Sequence, residues 1–558
     1  MKKIFTLLFF SISALGNAQL SNDVTPMSWG IENLDGLAPI IMPSFDLETL
    51  QKEDLANRGR MDIPYRFGYE FIVDYNLMNS GDWETLENGD RIWRIRFYSP
   101  GAKTMNFLFS YFYMPQGAHL ILYSNDRKDV LGAYDAKQNN PERVLGTWLV
   151  TGEDIWLEYY EPKAHKNQGR LEVYKLVHGY RSTSDILQSS QETKALNSSG
   201  NCHYDVNCTM GAIDATKNIN KKAVGMVLIG GGLCSGALVN NTSNDGTPYF
   251  LTANHCYEDE NGTPHVNPSQ WSFRFNWISN TPSCASTAAS LDNADYYTVS
   301  GAELKAHRTG SDFCLVAITG PMDADWELVY AGWDRSTTAP LNAYGIHHPD
   351  GDIMKVSVEE DSPSATAITF GAQDAIEVWH IANWEKGVTE GGSSGSPLFD
   401  NNGRIRGQLF GGLSACTATG NGITGNGQYD IYGRFDISWS AGATSSERLS
   451  DWLDPAGTNQ VTLDYLDATL GIDDVAEPVH TIRIYPNPSN GIFSVALANN
   501  TLILEYQVYN TLGQVVASGT VRESDNSIDM SSKANGVYVI KFNGATNNTI
   551  TTHRIVKE

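Results

Sequence analysis

Residues 391–399 read GGSSGSPLF, a run of glycine and serine closed by a proline and an apolar strand. A turn of small residues carrying a hydroxyl at Ser394 suits a serine nucleophile. Glycine accepts the backbone angles that let successive N–H groups converge on one developing oxyanion. Gly/Ser runs also form flexible linkers, so the weight falls on two companion stretches. Leu251–Cys256 reads LTANHC and puts His255 after an apolar strand, whereas Ser311–Ile318 reads SDFCLVAI and puts Asp312 at the start of one. Amide hydrolysis by a serine needs a base to take the hydroxyl proton and a carboxylate to hold that base in the right tautomer. Burial of Asp312 is tolerable where His255 donates to it.

The rest of the chain frames these residues. At 558 residues it is too long for one core and suggests about three or four domains. Its 41% apolar and 18% charged residues describe a globular protein, and a formal net charge of −25 argues against a nucleic-acid partner, which needs basic patches. Lys2 and Lys3, the apolar run Ile4–Leu15 and the small residues Gly16-Asn17-Ala18 read as a signal peptide cleaved before Gln19. The apolar run is short of a bilayer span, and we expect an exported, soluble protein with no transmembrane segment. The seven cysteines, Cys202, Cys208, Cys234, Cys256, Cys284, Cys314 and Cys416, fall in one block. This fits an oxidising destination, and no C-x-x-C pair points to zinc or redox chemistry. Six can pair in several ways, with one left over; Cys256, beside His255, could bridge to Cys234.

Residues 19–194 contain alternating runs, RIWRIRFYS, NFLFSYFYMP, HLILYS and IWLEYY, which read as strands of a β-sandwich. No chemical motif is visible there, and a folding-assistant propeptide is a better reading than a carbohydrate-binding or adhesive one. A polar stretch between Gly179 and Gly200 suits an exposed linker. Strands continue over 195–470, where WSFRFNW alternates, and SERLSDWLDP reads as a helix capped by Ser445 or Ser446 with Leu449, Trp452 and Leu453 on one face. From about Asp473 a cysteine-free module, residues 471–558, shows three more alternating runs, IRIYPNPSNGIFSV, YQVYNTLGQVV and GVYVIKF.

The block from Cys202 to Asp464 resembles the lysyl endopeptidases, secreted trypsin-like serine proteases of bacteria. The resemblance rests on LTANHC, SDFCLVAI, IHHPDGD, VTEGGSSGSPLF, GQLFGG, YGRF and RLSDWLDPAGT. The chain order His, Asp, Ser is the one used by chymotrypsin-like double β-barrels. The fold expected is therefore all-β: a chymotrypsin-like double β-barrel flanked by an N-terminal β-sandwich propeptide and a C-terminal Ig-like β-sandwich.

Carried over by position, the resemblance makes His255 the general base, Asp312 its orienting acid and Ser394 the nucleophile, with the N–H groups of Gly392 and Ser394 as oxyanion donors. It implies the disulfides Cys202–Cys416, Cys208–Cys284 and Cys234–Cys256. Cys314 is left as a buried inert thiol, since free cysteine behaves as a small hydrophobe. It also sets Asp430 at the base of the primary specificity pocket, where a lysine ammonium must find a counter-charge, with Gly411 and Gly412 as the open wall. Phe410 stands where the family's pattern has a histidine, and the loop from Cys416 to Asp430 is longer, so cleavage after arginine as well as lysine stays open. A non-catalytic adhesin on a protease scaffold is the contrary reading. His347 and His348 invite a metal, but adjacent residues on an extended chain point to opposite faces and chelate poorly together. No metal or cofactor is expected, and a monomer is.

Vertebrate trypsin-like zymogens pair a freed N-terminus with an acid immediately before the nucleophile. Here that position is Ser393, so removal of the N-terminal region should instead expose the cleft, with Lys194–Ala195 as a natural self-cleavage site. The final module resembles the C-terminal sorting domain of the type IX secretion system of Bacteroidetes, which implies secretion machinery as a partner and a secreted or cell-surface destination reached through the periplasm.

Overall fold

The computed structural model describes residues 24–467 apart from 32–35, 58–62, 182–198, 287–289, 291–295, 370–374 and 417–426. In the last part it describes residues 483–558 apart from 486, 488, 497–503, 511–513, 522–525 and 544–548. Two compact units divide the chain, 1–469 and 470–558. The signal segment, Lys194 and Ala195 lie outside the described residues, as does most of the loop between Cys416 and Asp430.

The first unit opens with a pair of sheets built from the alternating runs. In one sheet Asp154–Glu161 lies between Arg91–Tyr98 and His119–Ser124, and in the other Arg170–Gly179 lies between Thr104–Tyr113 and Gly68–Asn76. Ile95, Phe97 and Leu157 from the first and Phe107, Phe109 and Leu176 from the second are fully buried in one core. That core continues without a break into the next sheet, through Trp148 and Met226 among others. Polar contacts reinforce the join: Ser272 Oγ donates to the Gly146 carbonyl (2.9 Å), Gln270 Nε2 to the Phe109 carbonyl (3.0 Å), and Arg274 lies 4.3 Å over the Trp148 ring.

Two further sheets carry the predicted chemistry. In the first, the order is Tyr297–Ser300, Ser272–Phe275, Val224–Ile229, Gly232–Leu238, Tyr249–Ala253, Phe313–Ile318, Ala302–Arg308. Every residue of Val224–Ile229, Gly232–Leu238 and Phe313–Ile318 is buried, which is why these read as near-continuous apolar runs. In the second, Lys355–Glu359, Ala343–His347, Pro397–Asp400, Ile405–Gly412, Asp430–Arg434 and Ile376–Ile381 follow one another. The all-β, chymotrypsin-like class expected from the sequence is the one observed.

The predicted helix over SERLSDWLDP is broken in two. Thr444, not Ser445 or Ser446, caps a single 3₁₀ turn over Ser445–Glu447 by a capping box with Glu447. Arg448 is then extended (φ −134°, ψ 142°), and a one-turn helix follows at Ser450–Leu453. Leu449 and Leu453 are fully buried as the pattern requires. The interruption sits where Leu449 N–H donates to the Ser438 carbonyl rather than back along a helix.

The second unit is a small pair of sheets, one with Arg483–Tyr485, Ile492–Ala496 and Ser527–Asp529, the other with Val515–Val521, Leu504–Tyr509, Gly536–Asn543 and Thr549–Lys557. Phe493, Val508, Ile540, Phe542 and Ile555 form its own buried core. No helix among the described residues is long and apolar enough to cross a membrane.

Candidate active site

His255 and Asp312 meet because their strands are neighbours. Tyr249–Ala253 pairs antiparallel with Phe313–Ile318, with Ala253 opposite Phe313, so the residues just past the one and just before the other emerge at the same edge. Asn254 N–H donates to the Asp312 carbonyl (2.9 Å) and His255 N–H to Asp312 Oδ1 (3.0 Å). His255 Nδ1 lies 3.0 Å from Oδ2 and 3.2 Å from Oδ1. A carboxylate only accepts, so Nδ1 carries the proton and Nε2 of the neutral ring is a bare acceptor. Nε2 is buried and has no hydrogen-bond partner.

Asp312 is 2% exposed. Burial raises its carboxyl above the usual range, opposed by the charge and hydrogen bonds of His255. Its backbone is left-handed (φ 51°), a conformation aspartate accepts better than most residues. Gln408, from the second sheet, donates through Nε2 to the Ser311 and Asp312 carbonyls (2.8 and 3.1 Å). The Cys234–Cys256 disulfide ties the turn carrying His255 to the neighbouring strand, and the Phe410 ring stands edge-on to the imidazole at 6.0 Å.

Ser394 is half-buried in the turn ahead of Pro397–Asp400. Asp350 N–H donates to the Gly391 carbonyl (2.5 Å) and Ser396 N–H to the Ser393 carbonyl (3.0 Å). In a planar trans peptide the N–H points away from its carbonyl, so both bonds aim the N–H groups of Gly392 and Ser394 to the opposite side. Among the described residues neither N–H donates to a protein atom. Ser235 fastens the turn to the first sheet: its N–H donates to the Ser394 carbonyl (2.8 Å) and its Oγ to the Gly392 carbonyl (2.8 Å). Gly395 (φ 80°) packs so closely on that sheet that a Cβ would lie 2.7 Å from the Ala253 nitrogen, two residues before His255. No hydrogen bond joins Ser394 to His255 in this structure.

Asp430 is fully buried at the start of Asp430–Arg434. Its Oδ2 accepts from Trp384 Nε1 (2.6 Å), Ser414 Oγ (2.6 Å) and Thr389 Oγ1 (2.9 Å), while Oδ1 has no partner. Burial, only partly offset by those three donors, raises the carboxyl to about 6. Gly412 lies opposite Asp430 in the sheet, and a Cβ there would fall 1.7 Å from Oδ1. Only glycine at 412 leaves that oxygen its space. Gly411 sits at the register break of the same strand pair. Phe410, buried with Ile376, Val378 and Ile431, belongs to an apolar wall beside His255.

The other residues singled out in the sequence have definite places. Cys202 is bonded to Cys416, and Cys208 to Cys284, while Cys314 is a buried free thiol whose burial pushes its pKa well up. His347 and His348 reach different partners: Ser393 and Ser357 for the first, the Asp352 carbonyl for the second. Glu390 went unnoticed in the sequence. It is mostly buried, takes hydrogen bonds from His203 Nε2 and Gly200 N–H (both 3.0 Å), and the His203 contact helps hold its carboxyl down near 2 despite burial. An acid directly ahead of a Gly/Ser turn was the available signal.

A cleft of about 920 Å³ opens at Ser394. Glu390, Gly392 and Ser414 line one side, and Tyr65, Arg66 and Tyr180 from the N-terminal region line the other. Tyr65–Arg66 is an added strand, antiparallel to Gly232–Leu238, with Arg66 opposite Gly232 and Tyr65 opposite Leu233. Glu70 Oε1 accepts from Gly231 N–H (2.9 Å) in the same contact.

The fold is the all-β one of the chymotrypsin-like serine proteases, and the His255–Asp312 pair lies on its first sheet. Residues 196–433 match the family described as lysyl endopeptidase, C-terminal domain, and residues 483–558 match the secretion system C-terminal sorting domain. A lysyl endopeptidase of Pseudomonas aeruginosa is 28% identical over 310 residues, which is 54% of this chain and 63% of that protein. The match therefore spans less than two thirds of the relative's length. Among solved structures, the active form of the Rv3671c protease from M. tuberculosis is 13% identical, covering 47% of this chain and 94% of that one at a TM-score of 0.26. The MamO protease domain from Magnetospirillum magneticum is 15% identical, covering 38% and 93% at 0.24. The chain is a lysyl endopeptidase-like protein with a C-terminal sorting domain, and it is secreted.

Proposed function

We propose that the chain is a serine endopeptidase that cuts on the carboxyl side of lysine through an acyl-enzyme. In this reading His255 Nε2 takes the Ser394 hydroxyl proton as Oγ attacks the scissile carbonyl carbon. The oxyanion is received by the N–H groups of Gly392 and Ser394. Collapse breaks the C–N bond, and the imidazolium returns its proton to the leaving amine; water then repeats the cycle on the ester. Asp312 keeps Nδ1 protonated and stabilises the imidazolium. The observation that carries the reading is the buried, unpartnered Nε2 of a histidine whose other nitrogen is held by a buried carboxylate.

Lysine preference is supported by Asp430, whose orphan Oδ1 is kept clear by Gly412. A lysine ammonium entering a desolvated pocket needs such an acceptor. Digestion of a denatured protein mixture, with cut sites read by mass spectrometry, tests this. Cuts spread equally over lysine and arginine would leave only a trypsin-like enzyme. Absence of fluorophosphonate labelling at Ser394 would leave only a scaffold.

The division into a signal segment (1–18), a propeptide (19–194), a catalytic domain (195–470) and a sorting domain (471–558) belongs to the same proposal. Its support for the propeptide is the Tyr65–Arg66 strand beside the cleft. Cleavage at Lys194–Ala195 is tested by N-terminal sequencing of the secreted Ser394→Ala protein: normal trimming at Ala195 would mean that another protease does the work. Passage by a type IX secretion system is tested by deleting residues 473–558, which should trap the protein in the periplasm.

A further inference from the structure

His347 takes no part in the chemistry above, yet it is fully buried directly behind the turn that carries Ser394. Its Nδ1 lies 2.8 Å from Ser393 Oγ, and its Nε2 lies 3.0 Å from Ser357 Oγ. The proton positions follow from counting donors. Ser357 spends its one hydroxyl hydrogen on the Val388 carbonyl (2.7 Å), so it can only accept from His347. Nε2 therefore carries the ring proton, and Nδ1 is an acceptor. Ser393 must then donate to Nδ1, while its oxygen accepts from Glu390 N–H (3.3 Å). The chain runs in one direction, Ser393 to His347 to Ser357 to Val388, with no polar atom left over.

This arrangement needs a neutral imidazole. Burial lowers the His347 pKa well below the usual histidine range, and nearby His203, His348 and Lys355 push the same way. A protonated ring would turn Nδ1 into a donor and take away the acceptor to which the Ser393 hydroxyl gives its hydrogen.

We propose that His347 is a positioning residue: by holding the Ser393 hydroxyl it fixes the peptide planes on either side of Ser393 and so the direction of the Ser394 N–H. Ser393 occupies the place where vertebrate trypsin-like zymogens carry their latching acid. Here the same place is held by a neutral hydrogen bond available in the uncut chain. The proposal rests on the reading of Ser394 as nucleophile.

The test uses the full chain and a lysyl peptide amide, with kcat and KM measured separately and thermal unfolding as a check on folding. His347→Leu should lower kcat by about 10- to 100-fold, up to the low end of the loss for removing an oxyanion donor outright because here the donor is only misaligned, with KM changed by no more than about twofold. Ser393→Ala, which removes only a hydroxyl, should lower kcat in the same way, and the double variant should be no worse than His347→Leu alone. His347→Gln keeps one acceptor and one donor and should recover most of the activity. Wild-type kcat in Ser393→Ala, multiplicative losses in the double variant, or His347→Gln as poor as His347→Leu would each overturn the proposal. An inactive wild type would instead overturn the reading of Ser394, and this proposal with it.

Discussion

Replacing Asp430 by asparagine should weaken the enzyme and strengthen the fold. The carboxylate is fully buried, and its pKa is raised from 3.8 to about 6. The sign follows from which state releases its proton first. Below pH 3.8 both states are protonated and the group is neutral in its effect. Between 3.8 and about 6 the unfolded chain ionises while the folded one does not, so stability falls as pH rises; above 6 the full cost persists. About two pKa units at about 1.4 kcal/mol each make that cost about 3 kcal/mol. Asparagine can place its carbonyl oxygen against Trp384, Ser414 and Thr389 and carries no charge to desolvate. The variant should therefore match the parent near pH 4 and exceed it by up to about 3 kcal/mol at pH 7.5, measured by denaturant unfolding in a Ser394→Ala background that prevents autolysis.

The same change removes the counter-charge for a lysine side chain. Leaving one buried charge without its partner costs about 3–5 kcal/mol, so kcat/KM on lysyl peptides should fall by roughly 10²- to 10⁴-fold. Gain in stability with loss of activity is the signature of a residue kept for function at the expense of the fold. A variant that loses both would make Asp430 a structural cap of its loop, and one that still cuts after lysine at the parental rate would remove it from the pocket.

Three further outcomes follow from the geometry. Asp312→Asn, which leaves His255 free to hold the wrong tautomer, should lower kcat by on the order of 10⁴-fold with little change in KM, as steady-state kinetics will show. Cys314, buried and with its thiol pushed well up, should be silent to thiol reagents in the native protein and react as one equivalent after unfolding without reductant. Changing Cys234 and Cys256 together to serine releases a link across 22 residues. This should cost about 3 kcal/mol, seen as a lower denaturant midpoint, with a drop in activity because the turn carrying His255 loses its tie.

The parts of the site that the sequence discloses are those set by strand ends. An apolar run that stops at His255 and another that starts at Asp312 bring both to one edge once the strands pair, and that pairing is what buried, β-rich runs do. The alternating runs of the N-terminal region and of the last module become strands at nearly the positions their periodicity gives. The break at Arg448 shows where periodicity fails: Leu449 and Leu453 are buried as a helical stripe requires, yet the turn before them is spent on a different partner, Ser438. Tyr65–Arg66 could not be read as a strand because two residues have no period; it exists only because the Gly232–Leu238 edge offers backbone partners.

What stays hidden in the linear text is the support behind the nucleophile turn. Gly391, Gly392, Ser393 and Ser394 are held by Asp350, Ser235, His347 and Ser396, drawn from three separate stretches of chain. Each supporting residue is ordinary in type, and its role depends on which lone pair or hydrogen is already spent elsewhere. Hydrogen-bond direction is a property of the closed network, so it is decided only when both sheets have folded against each other. The glycines and Ser394 announce that a turn of this kind exists, whereas the histidine that sets its angle is separated from it by 46 residues and looks, in the sequence, like half of a metal site.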